Sequence, residues 1–203
     1  GEDREYVCTI DELENEQVRA KIEDVNGVAK ELPIKVTLFQ ALPKGDKMET
    51  VIQKMIELGA YEIVPVFTKR CIVKLDNKKA VSKTKRWNSI AESAAKQSKR
   101  GIIPKVSMPV TYKEALKMAE AMDMVLIPYE NAENMAHTRQ VVSQIKTDMT
   151  VGIFIGPEGG FAEEEVEQAI NTGAYDITLG KRILRTETAG MALMSVLMFE
   201  TEE

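Results

Sequence analysis

The sequence predicts an α/β fold with a mostly parallel sheet, preceded by a short antiparallel β segment. Two observations predict it. From Ile34 onward, apolar strand-like runs alternate with stretches of helical spacing, whereas residues 1–30 alternate apolar and polar positions. The boundary falls between a segment of residues 1–32 and a main domain of residues 33–203. A chain of 203 residues can bury a full core in one domain plus a small appendage.

Tyr6-Val7-Cys8-Thr9-Ile10 and Val18-Arg19-Ala20-Lys21-Ile22 read as strands, with Asn26-Gly27 as a turn signal. Two or three strands cannot form an independent core. Because the chain also opens on Gly1 and not on Met, this segment is expected to be the remnant of a larger N-terminal module. The main domain starts with a strand over Ile34 to Ala41. A helix follows over Lys47 to Leu58, with Met48, Val51, Ile52 and Met55 at helical spacing and Gly59 as its stop. Tyr61 to Phe67 is the second strand. A Lys-rich connection leads to a helix over Lys83 to Lys99, striped by Trp87, Ile90, Ala91, Ala94 and Ala95. Thr111 starts another helix, and Met124 to Pro128, Val151 to Ile155 and Ile177 to Leu179 are three further buried strands. Between the last two lies an acidic helix, Ala162 to Thr172, closed by Gly173. The final helix, Thr186 to Glu200, is apolar nearly all round, which predicts burial on more than one side and a place in a subunit interface.

Apolar residues make up 44% and charged residues 29% of the chain, the balance of a sequence that folds. No stretch reaches the roughly 20 apolar residues of a membrane helix, and Gly1-Glu2-Asp3-Arg4-Glu5 has no signal-peptide character, so a cytoplasmic location is expected. Cys8 and Cys71 lie outside any CxxC or Cys/His cluster and read as reduced thiols, with no metal site. His137, isolated in a polar run, reads as a surface residue. The net charge of -5 hides an asymmetry, since Lys44 to Lys105 carries 15 Lys and Arg against 6 Asp and Glu. A basic middle on an acidic chain fits a localised polyanion-binding face, and it also fits a set of solvated helix faces.

Two segments carry chemistry, and both fall beyond the carboxyl ends of strands, where open α/β sheets bind ligands. Gly156-Pro157-Glu158-Gly159-Gly160 directly follows the strand ending at Ile155, and its glycines permit positive φ and close approach of backbone to a ligand. The loop lacks the Lys-[Ser/Thr] of a P-loop and the GxGxxG spacing of a dinucleotide site, and Glu158 would repel phosphate. A ligand with a purine, a ribose and a cationic centre suits it better, although a structural turn also accounts for the loop alone. The second segment, Leu179-Gly180-Lys181-Arg182-Ile183-Leu184-Arg185-Thr186-Glu187-Thr188-Ala189, packs three cations, a carboxylate and two hydroxyls between a strand and a helix. Capping by Thr186 or Thr188, with Glu187 in the first turn, explains the Thr and Glu residues but not Lys181, Arg182 and Arg185.

IGPEGGF at 155–161 followed by LGKRILRTETA at 179–189, with ELGA at 57–60 and ESAAKQSKR at 92–100 upstream, resembles the RsmE family of 16S ribosomal RNA uridine N3-methyltransferases, of the SPOUT class. The match runs from about Val36 to the C-terminus, and the two motifs in this order and spacing are highly specific. The resemblance implies a trefoil-knotted methyltransferase domain that binds S-adenosylmethionine and forms a homodimer through the knot region. It also implies a PUA-like β-barrel before that domain, of which residues 1–32 would be the truncated remnant. By matching positions, the cofactor would meet backbone groups of Leu126, Pro128 and Glu130, then Gly156, Pro157, Glu158 and Gly160, then Leu179, Gly180, Ile183, Leu184, Thr186 and Ala189. Gln97, Arg100 and Arg185 would face the RNA, which is 16S ribosomal RNA within the 30S subunit. No membrane or metal partner is implied.

Methyl transfer to N3 of uracil needs the imide proton removed, because the neutral nitrogen is a poor nucleophile. Arg185 is the candidate for stabilising the uracil anion, and Glu187, Glu158 or water for accepting the proton. A ribosome-binding or assembly module without catalysis is the alternative the basic middle alone would allow. A Gly-loop nucleotide-binding enzyme is a third, weakened by the missing Walker lysine.

Overall fold

The computed structural model describes residues 4–27, 30–130, 132 and 134–202; Gly1 to Asp3, part of the expected N-terminal segment, lie outside them. Strands β1 (Arg4–Leu13) and β2 (Val18–Gly27) pair antiparallel in a separate two-stranded sheet. The chain reverses at Glu14, whose N–H donates to Gln17 O at 2.9 Å. Asn26 and Gly27 are not a turn: they pair with Glu5 and Arg4 inside the ladder. A two-residue Asn-Gly turn needs positive φ at both positions, and neither residue adopts it. Ile10, Leu13 and Val18 remain more than half exposed on this hairpin.

The main sheet has the order β5-β4-β3-β8-β7-β9, every pair parallel, with β6 also on β4. Its strands are β3 (Lys35–Ala41), β4 (Glu62–Phe67), β5 (Lys105–Val106), β6 (Val110–Thr111), β7 (Met124–Pro128), β8 (Thr150–Ile155) and β9 (Tyr175–Ile177). Alternate side chains feed two cores. Leu38, Ile63, Leu126 and Ile153 pack under α1 (Lys47–Glu57), α2 (Asn77–Gln97), α4 (Met135–Val142) and α6 (Thr186–Thr201). Phe39, Val64, Ile127 and Phe154 pack under α3 (Tyr112–Ala119) and α5 (Glu163–Asn171) on the other face. Phe39 and Phe154, register partners on β3 and β8, stack with centroids 4.5 Å apart.

Local chemistry sets most boundaries. Gly59 ends α1 at φ +101, and Gly173 follows α5 at φ +96. Thr111 and Glu114 form the capping box of α3. Helix α2 begins six residues before the expected Lys83, because Asp76 caps it by accepting Lys79 N–H at 2.8 Å. The expected strand over Ile177 to Leu179 ends at Ile177, where Thr178 N–H turns to the hydroxyl of Thr138. Helix α4 lies where the sequence showed only a polar run: Asn134 caps it, and Thr138, Val141 and Val142 form its buried stripe. Helix α6 buries Leu193, Met194 and Leu197 completely, while Phe199 is 82% exposed, so a single face enters the core.

Arg100, expected at an RNA surface, is a strut inside the fold. Its side chain is 3% exposed and pairs with Glu31. It also donates to Ala60 O at 2.6 Å and Ile56 O at 3.2 Å. Glu31 further accepts Gly101 N–H, so this pair pins the segment entering β3 to the ends of α1 and α2. Removing one partner of such a pair strands the other charge in a desolvated place. Arg100→Ala is therefore expected to cost about 3–5 kcal/mol of unfolding free energy, measured in urea.

Candidate active site

The carboxyl ends of the parallel strands β7, β8 and β9 open on one edge of the sheet, and the loops that follow them enclose a cleft of about 1090 Å³. The loop after β8 forms one wall. A Cβ at Gly156 would be crowded, 3.1 Å from Gly160 C and Phe161 N, and Gly160 holds φ +67. Gly160 N–H donates to Pro157 O at 2.9 Å, closing the turn. Phe161 then buries against Tyr112, with ring centroids 5.8 Å apart. Glu165, 2% exposed, accepts Ala162 N–H at 2.9 Å and Lys69 N–H at 2.8 Å. Tyr112 donates to Glu165 O at 2.6 Å, and burial, with the Glu165 charge, pushes its pKa well above the ordinary phenol value.

Other elements fix the rest of the loop. Arg70 donates to Gly159 O at 2.8 Å. Glu158 accepts Lys44 N–H at 3.0 Å and Lys47 Nζ at 2.9 Å. Partial burial works against ionisation of Glu158, but the hydrogen bonds from Lys47 and from backbone N–H groups hold its pKa below the usual carboxylate range.

The second wall is the segment from Thr178 into α6. Thr186 does not cap that helix; Arg185 is the N-cap, without a side-chain capping bond. The Thr186 hydroxyl instead donates to Gly156 O at 2.6 Å and accepts Gln40 Nε2 at 2.9 Å. Lys181, Arg182 and Arg185 line the cleft, are exposed, and have no carboxylate partner among the described residues.

Of the residues expected to meet a cofactor, Pro128, Glu130, Gly156, Pro157, Glu158, Gly160, Leu179, Gly180, Ile183, Leu184, Thr186 and Ala189 line this cleft. Leu126 does not; it is wholly buried in the middle of β7. Arg185 lines the cleft, but Gln97, exposed at the end of α2, and the buried Arg100 do not. Glu187 lies outside the lining and turns to Lys47, 3.6 Å away. Sequence reasoning missed Lys47 and Arg70, which follow β3 and β4 at the same edge of the sheet. It also missed Tyr129, Asn134 and Met135 after β7. The position of Lys47 just beyond a parallel strand was a usable signal.

Fold and site together define an RNA methyltransferase domain, the family model that residues 30–198 match. The chain is 36% identical over 201 residues to ribosomal RNA small subunit methyltransferase E of Bacillus subtilis, covering 98% of this chain and 78% of that protein. Its counterpart in Mesomycoplasma hyopneumoniae is 40% identical over 161 residues, covering 79% and 68%. The chain therefore belongs to the ribosomal RNA small subunit methyltransferase E family. Among solved structures it is similar to that enzyme from Neisseria gonorrhoeae bound to S-adenosyl methionine, with a TM-score of 0.81, 34% identity, and 98% and 80% of the two chains covered. A Legionella pneumophila protein in complex with the bound cofactor SAM has a TM-score of 0.82 at 36% identity, over 97% and 79%.

Gly156 and Gly160 differ in a way unfolding in urea can measure. Gly156→Ala crowds a Cβ against backbone that must shift by a few tenths of an ångström and is expected to cost about 1–3 kcal/mol. Gly160→Ala meets nothing within 4 Å and should cost only the left-handed φ, about 1 kcal/mol.

Proposed function

We propose that this chain uses S-adenosylmethionine to methylate N3 of a specific uridine in 16S ribosomal RNA, within the 30S subunit. The observation that carries this reading is one cleft that joins a backbone-lined glycine cradle to three unpaired cations, Lys181, Arg182 and Arg185. Similarity to relatives solved with the methyl donor supports it.

The residues fit that donor. Gly156 allows the loop to close where a Cβ would crowd the backbone of Gly160 and Phe161, and glycines on both walls present backbone to the cleft. When bound, the donor supplies an electrophilic methyl group on a cationic sulfur. The protein must then position the uracil and dispose of its N3 proton. Arg185, exposed and unpaired, is the group that holds the uracil oxygens, stabilising the anion and lowering the pKa of the imide. Glu158 is a weak proton acceptor, since Lys44 and Lys47 already occupy its carboxylate. Glu187 faces Lys47 and not the cleft. Water in the open cleft takes the proton. Lys74, Lys78 and Lys85, exposed and without carboxylate partners among the described residues, add general attraction for the RNA backbone.

Beyond the edge strand β9 the chain returns to the sheet centre, where Thr186 bonds to the ends of β3 and β8; this return supports a trefoil-knotted SPOUT arrangement. Ile183, 91% exposed, and Phe199 offer apolar surface for a homodimer through the same region. The β1–β2 hairpin, with its exposed apolar residues, is read as part of a PUA-like β-barrel that helps hold RNA, and the enzyme as cytoplasmic.

Incubation of 30S subunits with the protein and donor is expected to add one methyl group to a single uridine, read by mass spectrometry of the 16S RNA. Arg185→Ala should lower that turnover by about 100-fold or more. Affinity for S-adenosylhomocysteine, measured by calorimetry, should stay within about threefold. Near-normal turnover in this variant would sink the role of Arg185. A wild-type protein that gives no heat with S-adenosylhomocysteine would instead be a binding module without catalysis.

A further inference from the structure

Lys47 is the first residue of α1, where a cation opposes the helix macrodipole. Helix energetics do not explain it; its contacts do. Its ammonium lies 2.9 Å from Glu158 in the glycine loop and 3.6 Å from Glu187 in the first turn of α6. Among the described residues no other cation is within ion-pair distance of either carboxylate. Glu187 Oε2 is inaccessible to solvent and has no hydrogen-bond donor among the described residues, so beyond the α6 macrodipole its charge is met by Lys47. Lys44 N–H adds a second hold on Glu158 from the same β3–α1 connection.

We propose that Lys47 is the positioning residue of the donor site: by bridging Glu158 and Glu187 it sets the separation of the two walls between which the donor sits. This rests on the reading of the cleft as the S-adenosylmethionine site. The walls are also tied at the floor by Thr186 and Gly156, so Lys47 acts as the outer of two ties and governs the mouth. Without it, two carboxylates confront each other with nothing between them, and the walls part. The raised pKa of Lys47, owed first to its hydrogen bond with Glu158, keeps the bridge charged through neutral pH.

Calorimetric titration with S-adenosylhomocysteine tests the bridge. Lys47→Met is expected to weaken binding about tenfold or more and to raise KM for the donor in parallel, with kcat changed by less than about threefold. Lys47→Arg, which can also span two carboxylates, should restore affinity to within about threefold. Lys47→Met combined with Glu158→Gln should bind no more weakly than the poorer single variant, because both cut the same tie. If Lys47→Met does not fold, Glu158→Gln alone should show the loss of affinity. Unchanged affinity in Lys47→Met, failure of the Arg variant to rescue, or additive losses in the double variant would overturn the bridge. Wild-type protein that takes up no S-adenosylhomocysteine overturns the donor reading and the bridge with it, whereas wild-type binding with unaltered Lys47→Met overturns the bridge alone.

Discussion

The hydroxyl of Thr186 sits between Gln40 at the end of β3 and Gly156 at the end of β8, and the rest of the cleft depends on this contact. Thr186 is 6% exposed and Gln40 fully buried, so these hydrogen bonds form away from competing water. Each contributes about 1 kcal/mol net, but breaking one would leave a buried group unsatisfied at a further cost of about 1–3 kcal/mol. By fixing the first residue of α6 against the two central strands, the network places the cations before it, up to Arg185, along the cleft wall. The same contact holds the carbonyl of Gly156, the residue at which the glycine loop departs.

From there the charges separate by role. The carboxylates Glu158 and Glu187 are both turned toward Lys47, and Glu165 is consumed by backbone N–H groups. Arg70 is spent on a loop carbonyl. Left uncommitted at the cleft, among the described residues, are three cations, Lys181, Arg182 and Arg185, against one exposed carboxylate, Glu130. A site with more uncommitted cations than carboxylates suits a polyanionic substrate, despite the net charge of -5 for the whole chain. Neutralisation also bears on the chemistry: a carboxylate that already accepts two donors loses proton affinity, which leaves Glu158 a poor proton acceptor.

The fold was largely legible because the buried parallel strands are short apolar runs that no other element resembles. Met124 to Pro128 could be bounded to the residue. A helix with a clear cap, such as the one at Thr111, and one with a long apolar run, such as the one from Thr186, were legible as well. Where burial is light the pattern failed. Helix α4 has only three buried residues, and the first turns of α2 are Lys-rich, held by the cap of Asp76 and not by a stripe. The Asn26-Gly27 signal misled because a sequence gives turn propensity, whereas the ladder with Arg4 and Glu5 decides φ. At the site, backbone-lined positions followed from the two glycine-bearing segments, but side-chain partners from distant strands did not. Arg100 shows the limit: a basic residue in a basic run looks like a nucleic-acid contact until its carboxylate partner, 69 residues away, is seen to bury it.

The hold on the glycine loop from several sides is the final consequence. Lys44 and Lys47 hold it from the β3–α1 connection, Arg70 from beyond β4, Thr186 from α6, and Phe161 from the core beneath. A loop of three glycines would otherwise carry a large conformational entropy, which a ligand would have to remove on binding. Here that entropy is removed during folding by contacts from four separate elements. Glycine is thus used for shape and not for flexibility: it lets the backbone close tightly at Gly156 and turn at Gly160, and the surrounding side chains then hold that shape. The cradle is preorganised, so binding energy from the ligand is available for orientation at the reacting atoms.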